Sequence, residues 1–435
     1  MSKRKLLIIL SLLIVLGLFN VKAQTYGIYA LDITKELSSD KYLGRQAGTL
    51  EEEKLLNFIK SELIKNNIPE NLIYFQKFPL DVYLLEEEPK LEVISHNKVI
   101  LRGIYRKDFR DILTGTWNIS GKIEFVGYGL KFENYKNVKD KIAIAKLGYE
   151  NSKDKNLDRV DYRTYLSYYN GGKGIILVLD KNKEFIVSQK ALFLNNYPIP
   201  VIYITSNFQE KLEKLYKEDS NLEISYTIKY KTLKNNSSNI FALINGKEDK
   251  YIILSAHMDH VGKDFDGSFF PGANDNALSV GVLLEIIKII KEKNITPKYN
   301  LVFAFFNGEE YGLKGSSYYV KNPIFPLNKL LLNINIDCIG RGEYLYLIYN
   351  NFAESYVEKM KKIDENLNLL GEHPLITQSD QYSFYSLKLP VIFITRASGD
   401  LFMPDLHQKT DTFEKISYHD IEEVIDLLIK FITNN

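Results

Sequence analysis

From Asn239 onward the chain repeats one pattern: a short continuous apolar run, then a polar cluster, then in several places a helix-like stretch. The runs are Ile240–Ile244, Tyr251–Ala256, Leu301–Phe306, Leu331–Ile336, Leu345–Tyr349 and Val391–Ile394, with helical spacing over Leu278–Lys293 and Asp420–Ile432. Strands without a polar face are buried on both sides, which requires helices above and below them. The pattern predicts an α/β fold, a mostly parallel mixed sheet flanked by helices. With 45% hydrophobic and 26% charged residues, the 435-residue chain has globular composition, and a mainly disordered or fibrous protein is excluded.

Two regions precede this one. Residues 24–110 contain a helix-like stretch, Glu51–Lys65, with Leu55, Phe58, Ile59 and Leu63 on one face and Thr49 placed as its N-cap. Residues 111–230 are strand-rich: Gly121–Val126 alternates, while Ile142–Ala145, Gly174–Val178 and Val201–Ile204 read as buried strands. This block is expected to be an inserted accessory domain without chemistry of its own.

The first 23 residues differ from everything after them. Lys3-Arg4-Lys5 forms a basic head, Leu6 to Phe19 is apolar apart from Ser11 and Gly17, and Val21-Lys22-Ala23 resembles a cleavage site. The run falls short of the ~20 residues needed to span a bilayer, so a cleaved secretory signal is predicted, with the mature chain periplasmic or secreted. Formal charge is +1 from 56 basic and 55 acidic side chains, which gives no electrostatic footprint for nucleic acid or an anionic membrane. Cys338 is the only cysteine, so an intrachain disulfide and a thiolate metal cluster are both excluded.

Chemistry is concentrated where the apolar runs end. His257-Met258-Asp259-His260 follows the second, Asn307-Gly308-Glu309-Glu310 the third and Asp337 the fourth. The last run leads into a loop carrying Asp405-Leu406-His407, and Gly272-Ala273-Asn274-Asp275-Asn276 precedes the helix at Leu278. In open α/β sheets ligands bind beyond the carboxyl ends of the strands, where all these groups are expected. Histidines and carboxylates without thiolate suit Zn²⁺, with Co²⁺ or Mn²⁺ as substitutes. One bridging carboxylate would hold two ions ~3.5–4 Å apart. Such chemistry also needs a base that is not itself a ligand, and the adjacent pair Glu309-Glu310 supplies one of each.

In order and in type, His257-x-Asp259, Gly-Ala-Asn-Asp275-Asn, Glu309-Glu310, Asp337 and His407 resemble the di-zinc aminopeptidases of metallopeptidase family 28. Gly44-Arg45-Gln46-Ala47-Gly48-Thr49 resembles that family's N-terminal segment, and residues 111–230 resemble its inserted protease-associated domain. Ser379-Asp380 before Leu389-Pro390-Val391, and Asp411-Thr412 after His407, match late segments of the family. The resemblance implies residues 24–110 as the N-terminal part of the peptidase domain and 231–435 as its catalytic part.

It also implies roles. His257 and Asp337 would hold one Zn²⁺, Glu310 and His407 the other, with Asp275 bridging. Glu309 would be the general base, and Asp259 would accept a hydrogen bond from the His257 ring. In the family a strained peptide bond often follows the bridging aspartate, here Asp275-Asn276. The implied substrate is a peptide with a free N-terminus, with no membrane partner once the signal is removed; oligomeric state is not legible. Two other readings stay open. One is a carboxypeptidase-like or glutaminyl-cyclase-like enzyme, the former needing a basic pocket to which Arg341, Arg396 or Lys314 could contribute. The other is a non-catalytic binding protein of the same fold. His260 has no matching role and is read as a neighbour, His96, His373 and His419 as peripheral, and Cys338 as a small buried hydrophobe. Tyr382 or Tyr385 could stabilise an oxyanion, but nothing local selects either.

Overall fold

In a computed structural model, the structure describes residues 26–111, 115–148, 160–179, 197–399, 401 and 403–434. The expected signal segment, residues 1–23, lies outside them. Among the described residues no helix is long and apolar enough to cross a membrane.

The first sheet has eight strands: β1 (Ile73–Leu85), β2 (Tyr230–Ile244), β3 (Glu248–His257), β4 (Tyr299–Phe306), β5 (Leu330–Ile336), β6 (Tyr344–Tyr349), β7 (Asn368–Gly371) and β8 (Val391–Ala397). Their order is β1-β2-β4-β3-β5-β8-β6-β7. The central strands β4, β3, β5 and β8 are mutually parallel; β1 and β2 run antiparallel to their neighbours at one edge, and at the other β6 is antiparallel to β8 and parallel to β7. Register keeps the parallel strands level: His257 faces Phe306 and Ile336 faces Ile394. Their carboxyl ends therefore share one rim.

Helices cover both faces, as strands buried throughout demand. On one face lie α1 (Ile28–Leu37), α2 (Leu50–Lys65), α3 (Leu278–Glu292) and α4 (Tyr418–Thr433). The α3 sequence is apolar nearly all round, which fits a helix with neighbours on several sides. It sits so close to α1 that a Cβ on Gly281 would lie 2.5 Å from the Ala30 carbonyl oxygen. The opposite face packs Phe241, Phe306, Tyr319, Phe384 and Phe393. Each fully buried side chain of this size contributes ~1.5–3 kcal/mol, so the rim rests on a stiff platform.

Thr49 does occupy the N-cap of α2, but its hydroxyl donates to the Gln46 carbonyl instead of capping the helix. Glu52 reaches back instead, accepting from the N–H of Gly48 and, at 2.9 Å, from that of Ser238 on β2.

A second eight-stranded sheet lies between β1 and β2 in sequence, with its own apolar core. It departs from the expected boundary at residue 111 and begins at Lys90. Lys90–Ser95 pairs antiparallel with Glu223–Ile228, Leu91 facing Tyr226, and Lys98–Gly103 adds a further edge strand. The β-like run Lys90–Ser95 is legible locally, but its partner lies more than a hundred residues away, so the sheet it joins is not. The two sheets meet where Arg106 forms an ion pair with Asp264.

Candidate metal centre

The rim collects the candidate ligands and the candidate base. His257 ends β3, Glu309 and Glu310 follow β4, Asp337 directly follows β5, and His407 lies on the loop beyond β8. Asp275 precedes α3 in a short irregular turn, and the Asp275-Asn276 peptide is cis. His257 Nε2 stands 3.2 Å from Asp275 Oδ1 and 3.4 Å from Asp337 Oδ1. His407 Nε2 stands 2.9 Å from Asp275 Oδ2 and 3.0 Å from Glu310 Oε1. The two oxygens of Asp275 thus face different imidazoles, giving two donor groups that share one carboxylate.

Backbone anchoring fixes these positions. Asp411 accepts from the N–H groups of Asn274 (2.9 Å) and Asp275 (3.1 Å), so the loop after His407 holds the loop before α3. The Asn276 amide donates to the Ile336 carbonyl at 3.0 Å, tying the same turn to the end of β5 beside Asp337. Arg45 is fully buried and carries no carboxylate of its own. Its guanidinium donates to the carbonyls of Leu37, Met258, Pro271, Gly272 and Asp275, five acceptors on three segments. Burial lowers Arg45 to about 10 against the pull of Asp275 and Asp411.

Asp259 takes a position different from the one the resemblance implies. The hydrogen-bond acceptor nearest His257 Nδ1 is the Asp259 backbone carbonyl, at 3.2 Å, while its carboxylate Oδ1 is 3.8 Å away. The carboxylate accepts instead from the N–H groups of Glu309 (3.2 Å) and Glu310 (3.3 Å), orienting that pair. Burial pushes Asp259 up to about 7, although the neighbouring His257 pulls the other way.

The site is crowded with acid. Asp259, Asp275, Glu309, Glu310, Asp337, Asp380 and Asp411 are all buried here, against three imidazoles and the Arg45 guanidinium. Were every carboxyl ionised and each imidazole neutral, as metal coordination requires, seven carboxylates and one guanidinium would leave six negative charges. Burial opposes ionisation of Asp275, yet His260, His257 and His407 hold its carboxyl well below the usual range. Burial likewise opposes protonation of His257 and His407, but Asp337 and Glu310 respectively lead the carboxylates that raise them well above the ordinary value. Asp275 Oδ2, Asp337 Oδ1 and both Glu310 carboxylate oxygens lack aligned hydrogen-bond partners. Buried charge of one sign is expensive unless a cation compensates it. The donors are hard oxygens and imidazole nitrogens, the set that suits zinc and its substitutes. The residues fit divalent metal.

The comparisons with known proteins bear on the same residues. Residues 239–432 match the sequence model of Peptidase family M28. This stretch, which holds every residue of both donor groups, has the sequence of that family. It is 29% identical over 273 residues to aminopeptidase YwaD of Bacillus subtilis, covering 60% of this chain and 51% of YwaD. The chain spans about half, or less, of the length of the curated relatives it matches. Among solved structures, an aminopeptidase from Aneurinibacillus sp. strain AM-1 superposes with a TM-score of 0.72 at 19% identity, over 94% of this chain and 93% of that one. The zinc aminopeptidase BSAP of Bacillus subtilis gives 0.70 at 21% identity, over 94% and 95%. These establish the M28 fold for the chain, with the expected α/β architecture.

Two features escaped sequence reasoning. Arg45 was noticed as part of a motif but received no role, because backbone carbonyl acceptors leave no trace in a sequence. The second is His260, fully buried and facing Glu310, whose signal was its place three residues after His257 on the same strand end.

Proposed function

We propose that this M28 chain is an exported di-zinc aminopeptidase that removes N-terminal residues from peptides. The observation that carries the reading is the pair of donor groups, His257–Asp275–Asp337 and Asp275–Glu310–His407, sharing Asp275 inside a buried excess of carboxylate. Bound there, zinc would polarise the scissile carbonyl and lower the pKa of water toward ~7. The chain's own residues supply the rest. Glu309, beside the ligand Glu310 and oriented through Asp259, takes a proton from the attacking water as the carbon–oxygen bond forms. The same proton passes to the amine as the carbon–nitrogen bond breaks, leaving Glu309 ionised for the next cycle.

The carboxypeptidase alternative loses support at two of its three candidate cations. Arg341 is ion-paired with Asp405, and Arg396 with Glu423 and Asp420. Both already face acids. Export rests on the sequence of residues 1–23.

The test uses the purified full chain and a panel of aminoacyl-fluorophore substrates with their N-acetylated counterparts. Expected are about two Zn²⁺ per chain, cleavage of free-amine substrates only, loss of activity with a chelator and its return with zinc. Cleavage that survives metal removal, or no cleavage of any panel member by the zinc-loaded chain, would overturn the reading.

A further inference from the structure

We propose that His260 is a further metal ligand, completing the donor group of Glu310 and His407 and making the two cation positions unequal. The proposal rests on the two-ion reading above and goes beyond its five ligands.

Geometry is the first support. His260 Nδ1 stands 3.2 Å from Glu310 Oε1 and 3.7 Å from Asp275 Oδ2. Together with His407 Nε2, at 2.9 and 3.0 Å from the same carboxylates, it gives four donor atoms from four chain segments. A tetrahedral zinc with bonds of ~2.0–2.1 Å places its ligand atoms ~3.3 Å apart. The contacts at this group bracket that spacing. One donor atom from each of His260, Asp275, Glu310 and His407 lies within 4.8 Å of all the others.

Satisfaction is the second. His260 is 0% exposed, and neither ring nitrogen has an aligned hydrogen-bond partner. A buried imidazole left so costs on the order of 1–3 kcal/mol, which a coordinating cation would offset. The remaining nitrogen, Nε2, has no protein acceptor to fix its orientation, unlike His257, whose Nδ1 meets a carbonyl. His260 is therefore a weaker ligand than His257, and its loss should weaken the ion without abolishing it.

The third support comes from the loop it packs against. Gly272 has φ +58°, and a Cβ there would crowd the Asp275 carbonyl oxygen and lie 2.5 and 2.6 Å from His260 Cδ2 and Cγ. Only a residue without a side chain lets the ring lie against the loop that leads to Asp275.

The consequence is asymmetry. His257, Asp275 and Asp337 offer three donors and leave a coordination position open, while the other group offers four and is closed. The closed position should hold its ion more tightly.

Zinc content after dialysis against graded chelator, read by elemental analysis, tests this without relying on activity. The wild-type chain should lose its two ions in two steps. His260→Ala should weaken the tighter step by ~10–100-fold, merging the two, and His260→Gln should fall between them. Asp337→Ala should strip the weaker ion instead. In the cobalt-loaded chain, His260→Ala should change the visible absorption, because one nitrogen leaves the coordination sphere. Should His260→Ala fail to fold, His260→Gln, which keeps the bulk of the side chain, carries the test. Two ions with an unchanged chelator profile and spectrum in the variants would overturn the His260 role while leaving the two-ion reading standing. A wild-type chain that takes up a single ion would sink that reading and this inference with it.

Discussion

The two sheets of this chain are built from the same device and do different things. Each contains successive parallel, buried strands: β3, β4, β5 and β8 in the first, and Ile142–Lys146, Gly174–Val178 and Val201–Ile204 in the second. Past the first set stand Glu309, Glu310 and Asp337, with His257 closing its own strand. Past the second stand Leu147, Leu179 and Thr205, and the threonine hydroxyl caps the helix Ser206–Glu218. Among the described residues, both candidate donor groups belong to the first sheet. A level rim of strand ends offers a place for a ligand. An excess of buried carboxylate over cationic side chains at that rim is what suits the place to a metal.

The sharpest way to break the comparison is at the bases of the two sheets. Glu309→Gln should lower kcat by ~10²–10⁴-fold while zinc content stays at the wild-type level. On the second sheet, Glu124→Gln removes an ion pair with Lys141 that is partly exposed, and kcat should stay within about twofold of wild type. Near-normal turnover in Glu309→Gln would remove it from the role of base. A large loss in Glu124→Gln would show that the second sheet takes part in the chemistry.

Stability should divide the sheets as well. Arg45→Met leaves five backbone carbonyls without their donor around the metal loops. The expected loss is about 3 kcal/mol or more in urea unfolding, with weaker zinc retention, since each buried acceptor left open costs ~1–3 kcal/mol. On the second sheet Asp111 accepts from the hydroxyls of Tyr105 (2.9 Å) and Tyr230 (2.6 Å). Asp111→Ala should cost ~1–3 kcal/mol and leave zinc retention unchanged. If both variants lose metal equally, the anchoring of the centre is not confined to the first sheet.

How much of this could be read from the sequence follows from the range of each interaction. Strands apolar throughout, and the polar residues directly after them, are local signals, so the sheet core and the positions of His257, Glu309, Glu310 and Asp337 at its rim were legible. His407 and Asp275 are framed by no regular alternation, and order along the chain was what singled them out. Lys90–Ser95 reads as a strand, but that it opens the second sheet depends on pairing with Glu223–Ile228, a contact without local trace. Thr49 satisfied a local capping pattern, yet Glu52 took over the task because β2 offers it a second N–H at Ser238. Arg45 and Asp411 act on backbone groups, whose positions only the fold defines.

The smallest expected effect lies far from both rims, on the face of the first sheet covered by α1 and α3. The N-terminus of α1 has no side-chain cap of its own; Glu285 on α3 supplies one, accepting from the N–H groups of Gly27 at 2.6 Å and Ala30 at 2.9 Å. Glu285→Gln keeps the size but loses one of the two acceptor oxygens, so it should cost ~1 kcal/mol in urea unfolding, with kcat and zinc content unaffected. Burial raises the Glu285 carboxyl above its ordinary value of 4.5, against the pull of the two N–H groups. An acid raised in the folded state adds stability that is fully present below its unfolded value and is lost as pH rises through the raised native one. Glutamine lacks that dependence. The deficit of the variant should therefore be larger near about pH 4 than near about pH 8. A deficit that instead grows with pH would mean that the ionised carboxylate, held by its two amides, is the form the fold prefers.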